Sequence, residues 1–586
     1  MMPFKPLIIL AVFLLLRPIP TQADLLPANG AETAANFAEI SVLEDRVRVA
    51  LEIDLDDVHG FLAKPAEGEN LVSSLTERTG KAFEVHADGT ALLPETYQLE
   101  VRPRKPRVTA FRPSYGLPSN DERSAQVVSV VLDYPFTDRP TEIEFKPPLT
   151  SDGIPTAAIG VIFDHLGVAV TDYRYLSRSE VFYPNWNDPW YSRFENPNLT
   201  RHHKSALMSF VSVEPREVRH EVIFRLRDLE AWIDLNLGDM TVLDTAAMAR
   251  VQQQAIDLFS SSNPLTIDGQ ILLPGTAKVE QLSVGVEGLK VLESPPKTNR
   301  DTALLGIVLS YPRDGLPKEF SLKWDLFTEE TETIPVQISD PAGAVPGQVT
   351  RDVPDISWKN YIQNWSDPRT QPVIVATSRS ISVPVLSLGL VIFAVSLVAF
   401  AWRNRSGQWQ GWAVGAVSIC LAATALRTAT VEITLPTDTL AKTDAAAEVA
   451  EKIVSNLATA RLETQSPQMS EALNAFVTAE ALNDVGAEIR RGLSVSLPSG
   501  ASAQIEATEG LVVENVDSNN ADGSNQVLAR WNATVSGGHW GHLHRRTVSY
   551  RALLNVELSE GAWSLSGLTI LEAQLNRQPL PEGGNS

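Results

Sequence analysis

Alternating apolar and polar positions dominate the chain from about residue 36 to residue 375. Val47, Val49, Leu51 and Ile53 share one parity, with Arg48 and Glu52 on the other. That period of two is the signature of a strand with one buried face. Val218, His220, Val222 and Phe224 repeat the pattern, and Val127–Leu132 and Leu304–Leu309 predict further strands. Helical spacing interrupts this at about Glu67–Phe83 and Thr245–Phe259. In the second stretch Ala246, Met248, Val251, Ala255 and Leu258 form an apolar stripe. Strand follows strand more often than helix alternates with strand, so the pattern predicts mainly antiparallel, sandwich-like units with inserted helices.

Fragments of this region recur at nearly constant spacing. Asp88-Gly89 and Leu92-Leu93-Pro94 return as Asp268-Gly269 and Leu272-Leu273-Pro274, a shift of 180. Val130 to Pro135 is echoed by Ile307 to Pro312, shifted by 177, and Asn185 to Pro189 by Asn364 to Pro368, shifted by 179. Three echoes in one order predict two related β-rich units, 24–205 and 206–375.

After residue 440 the period is first helical. Thr443 is placed to cap a helix from Asp444 to about Arg461 that carries Val449, Ile453, Leu457 and Ala460. A second helix is predicted from Ser470 to about Arg490. Beyond Gly492 the period becomes two, with Val527, Ala529, Trp531, Ala533 and Val535 on one parity and Val548, Tyr550, Ala552, Leu554 and Val556 on another. Helices followed by long antiparallel strands over about 444–575 resemble the nuclear-transport-factor-like cone fold, also seen in bacterial envelope assembly proteins. The resemblance implies a C-terminal α+β domain, 441–578, with a concave face and a tendency to self-associate; residues 579–586 read as a disordered tail.

Three largely apolar stretches, the last interrupted by Arg427, change the picture. Lys5, the run Leu7–Leu16 and Thr21-Gln22-Ala23 read as a signal peptide, 1–23. Ile381 to Trp402 holds 22 residues without a charge, enough for about 33 Å of helix, and predicts a transmembrane span. A second span is predicted at 411–431. The link 403–410 carries Arg403 and Arg405 and no acid, which predicts a cytoplasmic loop. Together these predict a protein anchored in the bilayer of a bacterial inner membrane, with both large regions periplasmic.

Charge and cysteine content narrow the chemistry. With 71 acidic and 49 basic residues the net charge is -22, which disfavours nucleic-acid binding. The single cysteine, Cys420, rules out an internal disulfide. The chain has no nucleophile elbow, phosphate-binding loop, dinucleotide fingerprint or zinc-protease helix, and no catalytic residue is assigned. His539, His542 and His544 are the sharpest metal candidates: on an extended strand His542 and His544 share a face, so the set can reach one zinc or copper ion. Trp186, Trp190, Tyr191, Trp358 and Trp365 stand in or echo the densest aromatic cluster and are candidate interaction residues. The sequence thus predicts a membrane-anchored scaffold with envelope membrane proteins, further copies of itself and the bilayer as partners. The alternatives are a ligand- or metal-binding accessory protein for transport or cofactor assembly, and an envelope hydrolase.

Overall fold

The computed structural model describes residues 31–61, 83–105, 107, 126–201, 205–286, 288–292, 297–329, 331–363, 365–376, 378–403, 409–436, 440, 443–463, 466–494, 504–518 and 524–575. The expected signal segment, most of the expected helix at 67–83, the adjacent His202 and His203, Arg405 and the C-terminal tail lie outside these residues. The chain forms two compact units. One holds the described residues up to Pro368 together with 536–545; the other holds those of 369–494, 504–535 and 546–575.

In the first unit the chain lays down β1 (Asn36–Val42), β2 (Arg46–Asp54), β3 (Glu84–Ala87), β4 (Thr90–Ala91), β5 (Glu95–Pro103), β6 (Gln126–Pro135), β7 (Ile143–Lys146), β8 (Ile159–His165), β9 (Val168–Leu176), β10 (Glu180–Tyr183) and β11 (Arg193–Phe194). Two sheets result, ordered β5-β6-β2-β1-β8-β9 and β11-β10-β7-β3-β4. The pair β1–β8 is parallel, and its neighbours β1–β2 and β8–β9 are antiparallel. Val47, Val49, Leu51 and Ile53 of β2 are all buried, in one core with Phe145 and Phe182 of the smaller sheet.

The chain then repeats the plan. It adds β12 (Leu207–Val213), β13 (Glu217–Arg225), β14 (Val242–Asp244), helix α1 (Thr245–Ser262), β15 (Leu265–Ile267), β16 (Gln270–Leu272), β17 (Thr276–Gly285), β18 (Gly288–Val291), β19 (Lys297–Asn299), β20 (Leu304–Pro312), β21 (Glu319–Lys323), β22 (Thr333–Asp340), β23 (Gly343–Thr350) and β24 (Asp355–Lys359). The larger sheet runs β18-β17-β20-β13-β12-β22-β23 and the smaller β16-β15-β21-β24. The pair β12–β22 is parallel at the place corresponding to β1–β8. Helix α1 is capped by Asp244, whose carboxylate accepts the Ala247 N–H at 2.8 Å. Its buried stripe is Ala247, Met248, Val251, Ala255 and Phe259, so the contact face is turned slightly from the one expected: Ala246 is exposed.

The second unit contains a two-stranded ladder of β25 (Ser378–Val383) and β26 (Val431–Pro436), and between these the apolar helices α2 (Val385–Arg403) and α3 (Trp409–Ala425). Here the structure corrects the expectation of two membrane spans. Ile381, Ser382 and Val383, expected at the start of a span, pair as a strand with Ile433, Glu432 and Val431, the last of which was expected to end the other span. The helices that remain have 19 and 17 residues, about 28 and 26 Å, and the longer includes Arg403. Among the described residues no helix is long and apolar enough to cross a membrane. The bilayer anchorage, the cytoplasmic loop at 403–410, the periplasmic placement of the large regions, the inner-membrane location and the membrane-anchored scaffold drawn from the two spans therefore lose their basis.

The chain continues with α4 (Thr443–Ala460), α5 (Ser466–Leu473), α6 (Leu482–Gly492), β27 (Gln504–Asp517), β28 (Asn525–His539), β29 (His542–Ser559) and β30 (Ala562–Leu575), whose strands form one sheet in sequence order; all of these belong to the second unit except residues 536–545. The second helix of the sequence reading is split in two. Val477 bridges to Leu565, and the Thr478 N–H donates to the Leu565 carbonyl at 3.0 Å, so the chain leaves the helix there to bond the sheet. Val449, Ile453 and Leu457 are buried, as are Val527, Trp531, Tyr550, Leu554 and Trp563. Trp531 stacks on Tyr550 with centroids 5.5 Å apart.

Candidate ligand cleft in the first unit

A sheet packed on one side normally alternates apolar and polar residues. Strand β13 departs from this: Val222, Ile223 and Phe224 are consecutive and all buried. Val222 and Phe224 join the sandwich core, whereas Ile223 joins Met208, Phe210, Leu282 and Trp540 in a second apolar cluster. The larger sheet of the second sandwich is thus apolar on both faces. Part of that second face is covered by residues 536–545. Trp540 lies against Gly306, its backbone N–H donates to the Glu221 carboxylate at 2.5 Å, and Arg219 donates to the Gly538 carbonyl at 2.6 Å.

The remainder opens as a cavity of about 330 Å³ whose walls include Met208, Ile223, Leu282 and Leu304 on one side and Val168, Ala169 and Trp190 on the other. Trp190 is held firmly. Pro189 starts a short 3₁₀ turn, and the Asp188 carboxylate caps it by accepting the Trp190 N–H at 3.2 Å. Asp188 is itself paired with Arg227 at 2.7 Å. The indole N–H donates to the Asp301 carbonyl at 2.8 Å, a bond from the first sandwich to the second.

Two guanidinium groups, Arg201 and Arg225, each lie 5.3 Å from the centre of the Trp190 ring. Arg201 donates to the carbonyls of Ala169 at 3.0 Å and Trp190 at 2.9 Å. Arg225 is paired with Asp228. Burial, and then the charge of Arg225, pull the Arg201 guanidinium down to about 10, with Asp172 and Asp188 acting the other way. Lys297 also borders the cavity, and Asp172 is the one carboxylate among the described lining residues. Two carboxylates facing each other across this cleft, as glycoside hydrolysis requires, are therefore not found among the described lining residues.

The predicted interaction residues are dispersed. Trp186 packs beside the first core and donates to the Pro140 carbonyl at 2.7 Å, Trp190 lines the cleft, and Tyr191 is exposed. Trp358 stacks on Phe320 and donates to Asp340 at 2.8 Å, while Trp365 is half-buried. His539 ends β28, and His542 and His544 begin β29 across the Trp540-Gly541 turn; their side chains lie outside the described residues. Among the described residues no three His, Cys, Asp or Glu side chains are grouped to hold a metal.

Two buried histidines meet serines. His165 Nδ1 lies 2.7 Å from Ser192 Oγ, and His220 Nε2 lies 2.9 Å from Ser209 Oγ. Burial lowers both imidazoles to about 4, helped at His165 by the charge of Arg139. Both rings are fully buried, so neither pair meets a substrate, and packing accounts for them. Asp164, next to His165, instead accepts from Ser41 and from the Gly167 N–H, because neighbouring strand residues point to opposite faces.

Sequence reasoning missed Arg201, Arg225 and the apolar wall. The available signal was the unbroken apolar run Val222-Ile223-Phe224 ending in Arg225, which asks for cover on both faces.

Comparison of the sequence with known protein families finds no match. Comparison with curated proteins finds none either. Among solved structures, part of the chain bears a weak likeness to the intermembrane-space region of the chloroplast protein ARC6. That likeness covers 21% of this chain and 95% of that one, at 19% identity and a TM-score of 0.17.

Proposed function

We propose that this chain is a binding protein whose first unit holds a small, mostly apolar molecule in the cleft beside Trp190. The observation that carries the reading is an apolar cavity of about 330 Å³ with a rigidly held indole in its wall. That volume falls at the small end of ligand pockets and suits roughly ten non-hydrogen atoms. The test is ligand-observed NMR with octan-1-ol. The intact chain gives saturable binding, and Ile223→Trp, which fills the cavity, abolishes it while the circular dichroism spectrum is kept. Binding undiminished in Ile223→Trp would remove the cleft from the account.

The shared strand order, the matching parallel pairs and the sequence echoes support reading the first unit as a tandem repeat of one sandwich. The succession α4 to β30 supports the nuclear-transport-factor-like reading of the C-terminal part. A zinc or copper role for His539, His542 and His544 rests on their spacing alone. Calorimetry with zinc on the intact chain and on a His542→Ala/His544→Ala variant decides it.

A further inference from the structure

We infer that the ligand of this cleft is a small amphipathic carboxylate, its head group beside Arg201 and Arg225 and its apolar body along Met208, Ile223 and Leu304. The inference rests on the binding role proposed above and assigns the chemistry of that site.

Charge is the first argument. The chain carries a net charge of -22, yet three cationic side chains, Arg201, Arg225 and Lys297, border this one cavity, against Asp172 in its wall and Asp228, the ion-pair partner of Arg225. A local reversal of sign within an apolar enclosure is a selective device, because a charge interacts more strongly there than in water.

Position is the second. Arg201 and Arg225 share one aromatic ring as a neighbour, each 5.3 Å from its centre. Burial first, and then repulsion by the like charge of Arg225, pull the Arg201 guanidinium down to about 10. An anion entering beside them relieves that repulsion, and guanidinium planes suit a planar carboxylate. A cationic ligand is disfavoured, since the indole that would attract it already has two guanidinium groups beside it. Asp172 in the same wall weighs against a doubly charged head such as a phosphate monoester.

Size is the third. With a carboxylate occupying three atoms, roughly ten atoms in all leave a body of about seven carbons. Octanoate is therefore the probe, and octan-1-ol its neutral partner of nearly equal shape.

The experiment titrates both into the full chain by calorimetry, at low and at high sodium chloride. Octanoate should bind at least tenfold more tightly than octan-1-ol, and salt should narrow the difference. In Arg225→Gln the preference should shrink several-fold with octan-1-ol unaffected, and Arg225→Lys should keep part of it. Equal affinity for the two ligands in the wild-type chain overturns the carboxylate assignment and leaves the apolar cleft standing. Absence of binding by either ligand overturns both. Since the wild-type comparison needs no substitution, the result does not depend on how well the variants fold.

Discussion

At the scale of single residues, the recurring Asp-Gly pair shows how a sequence echo becomes a repeated structural role. Asp88 and Asp268 both have positive φ, 47° and 50°, followed by Gly89 and Gly269 at 78° and 80°. Asparagine, aspartate and glycine tolerate this region best. Each aspartate also accepts from backbone N–H groups where the chain enters the neighbouring strand: Asp88 from Thr141 and Glu142, Asp268 from Lys318 and Glu319. Partial burial pushes the Asp268 carboxyl up, but those N–H groups and Arg313 outweigh it and hold it below the usual carboxylate range. Asp268→Ala should cost about 1–3 kcal/mol in urea unfolding at pH 7. A group with a depressed folded pKa stabilises above its unfolded value, so the difference between the two proteins should shrink as pH falls through and below about 3.9.

The buried histidines give a second pH signature, from a neutral base. His165 faces Ser192, Trp186 and Arg139, and His220 faces Ser209, Trp324 and Glu221. With folded values of about 4 against 6.5 in the unfolded chain, the unfolded state binds protons first. Stability is therefore full above about pH 6.5 and declines as pH falls toward 4, by up to ~3 kcal/mol for each histidine. Denaturant melts of His220→Gln between pH 4 and pH 7 should show a flatter profile than the wild type.

At the scale of elements, backbone placement was more legible than contacts. Alternation located β2, β13 and the strands around Trp531 and Tyr550, and helical spacing located α1 and α4, because each carries a regularly spaced set of buried residues, although β13 buries its other face as well. It misplaced elements where a long-range bond competes with local preference. Val477 pairs with Leu565 and breaks a helix, and Ile381–Val383 pair with Val431–Ile433 and shorten another. Residues far apart in sequence decide both outcomes, and periodicity is blind to them. The apolar pair α2 and α3 keeps Leu386, Ile392, Phe393 and Val395 more than half exposed, so its pattern reports a surface that needs covering but not what covers it.

The turn at Trp540 depends on one glycine in an element far away in sequence. A Cβ on Gly306 would lie 2.2 Å from the Trp540 ring and cannot be accommodated without moving it. Gly306→Ala should destabilise the chain by about 1–3 kcal/mol by urea unfolding. Combining it with Trp540→Ala should recover part of that loss, because the clash is gone, whereas additive losses would show that the ring does not sit there.

At the scale of the whole molecule, composition spoke about exclusions and was silent about the site. A net charge of -22 argued against nucleic acid, yet the cleft gathers Arg201, Arg225 and Lys297 from segments up to 96 residues apart. Only the folded first unit brings the end of β13 to Trp190. Binding to the native cleft alone must raise stability by mass action, so octanoate at 100 times its dissociation constant should stabilise the unit that binds it by about 2.7 kcal/mol. Thermal unfolding of the full chain with and without octanoate reads this as an upward shift of one transition.

The most direct measurement is a calorimetric titration of octanoate into the wild-type chain and into Ile223→Trp, both with native circular dichroism. The wild type should bind one equivalent, and the cavity-filling variant none. Lack of binding by the wild type, or equal binding by the variant, would contradict the assignment of this cleft as the site of function.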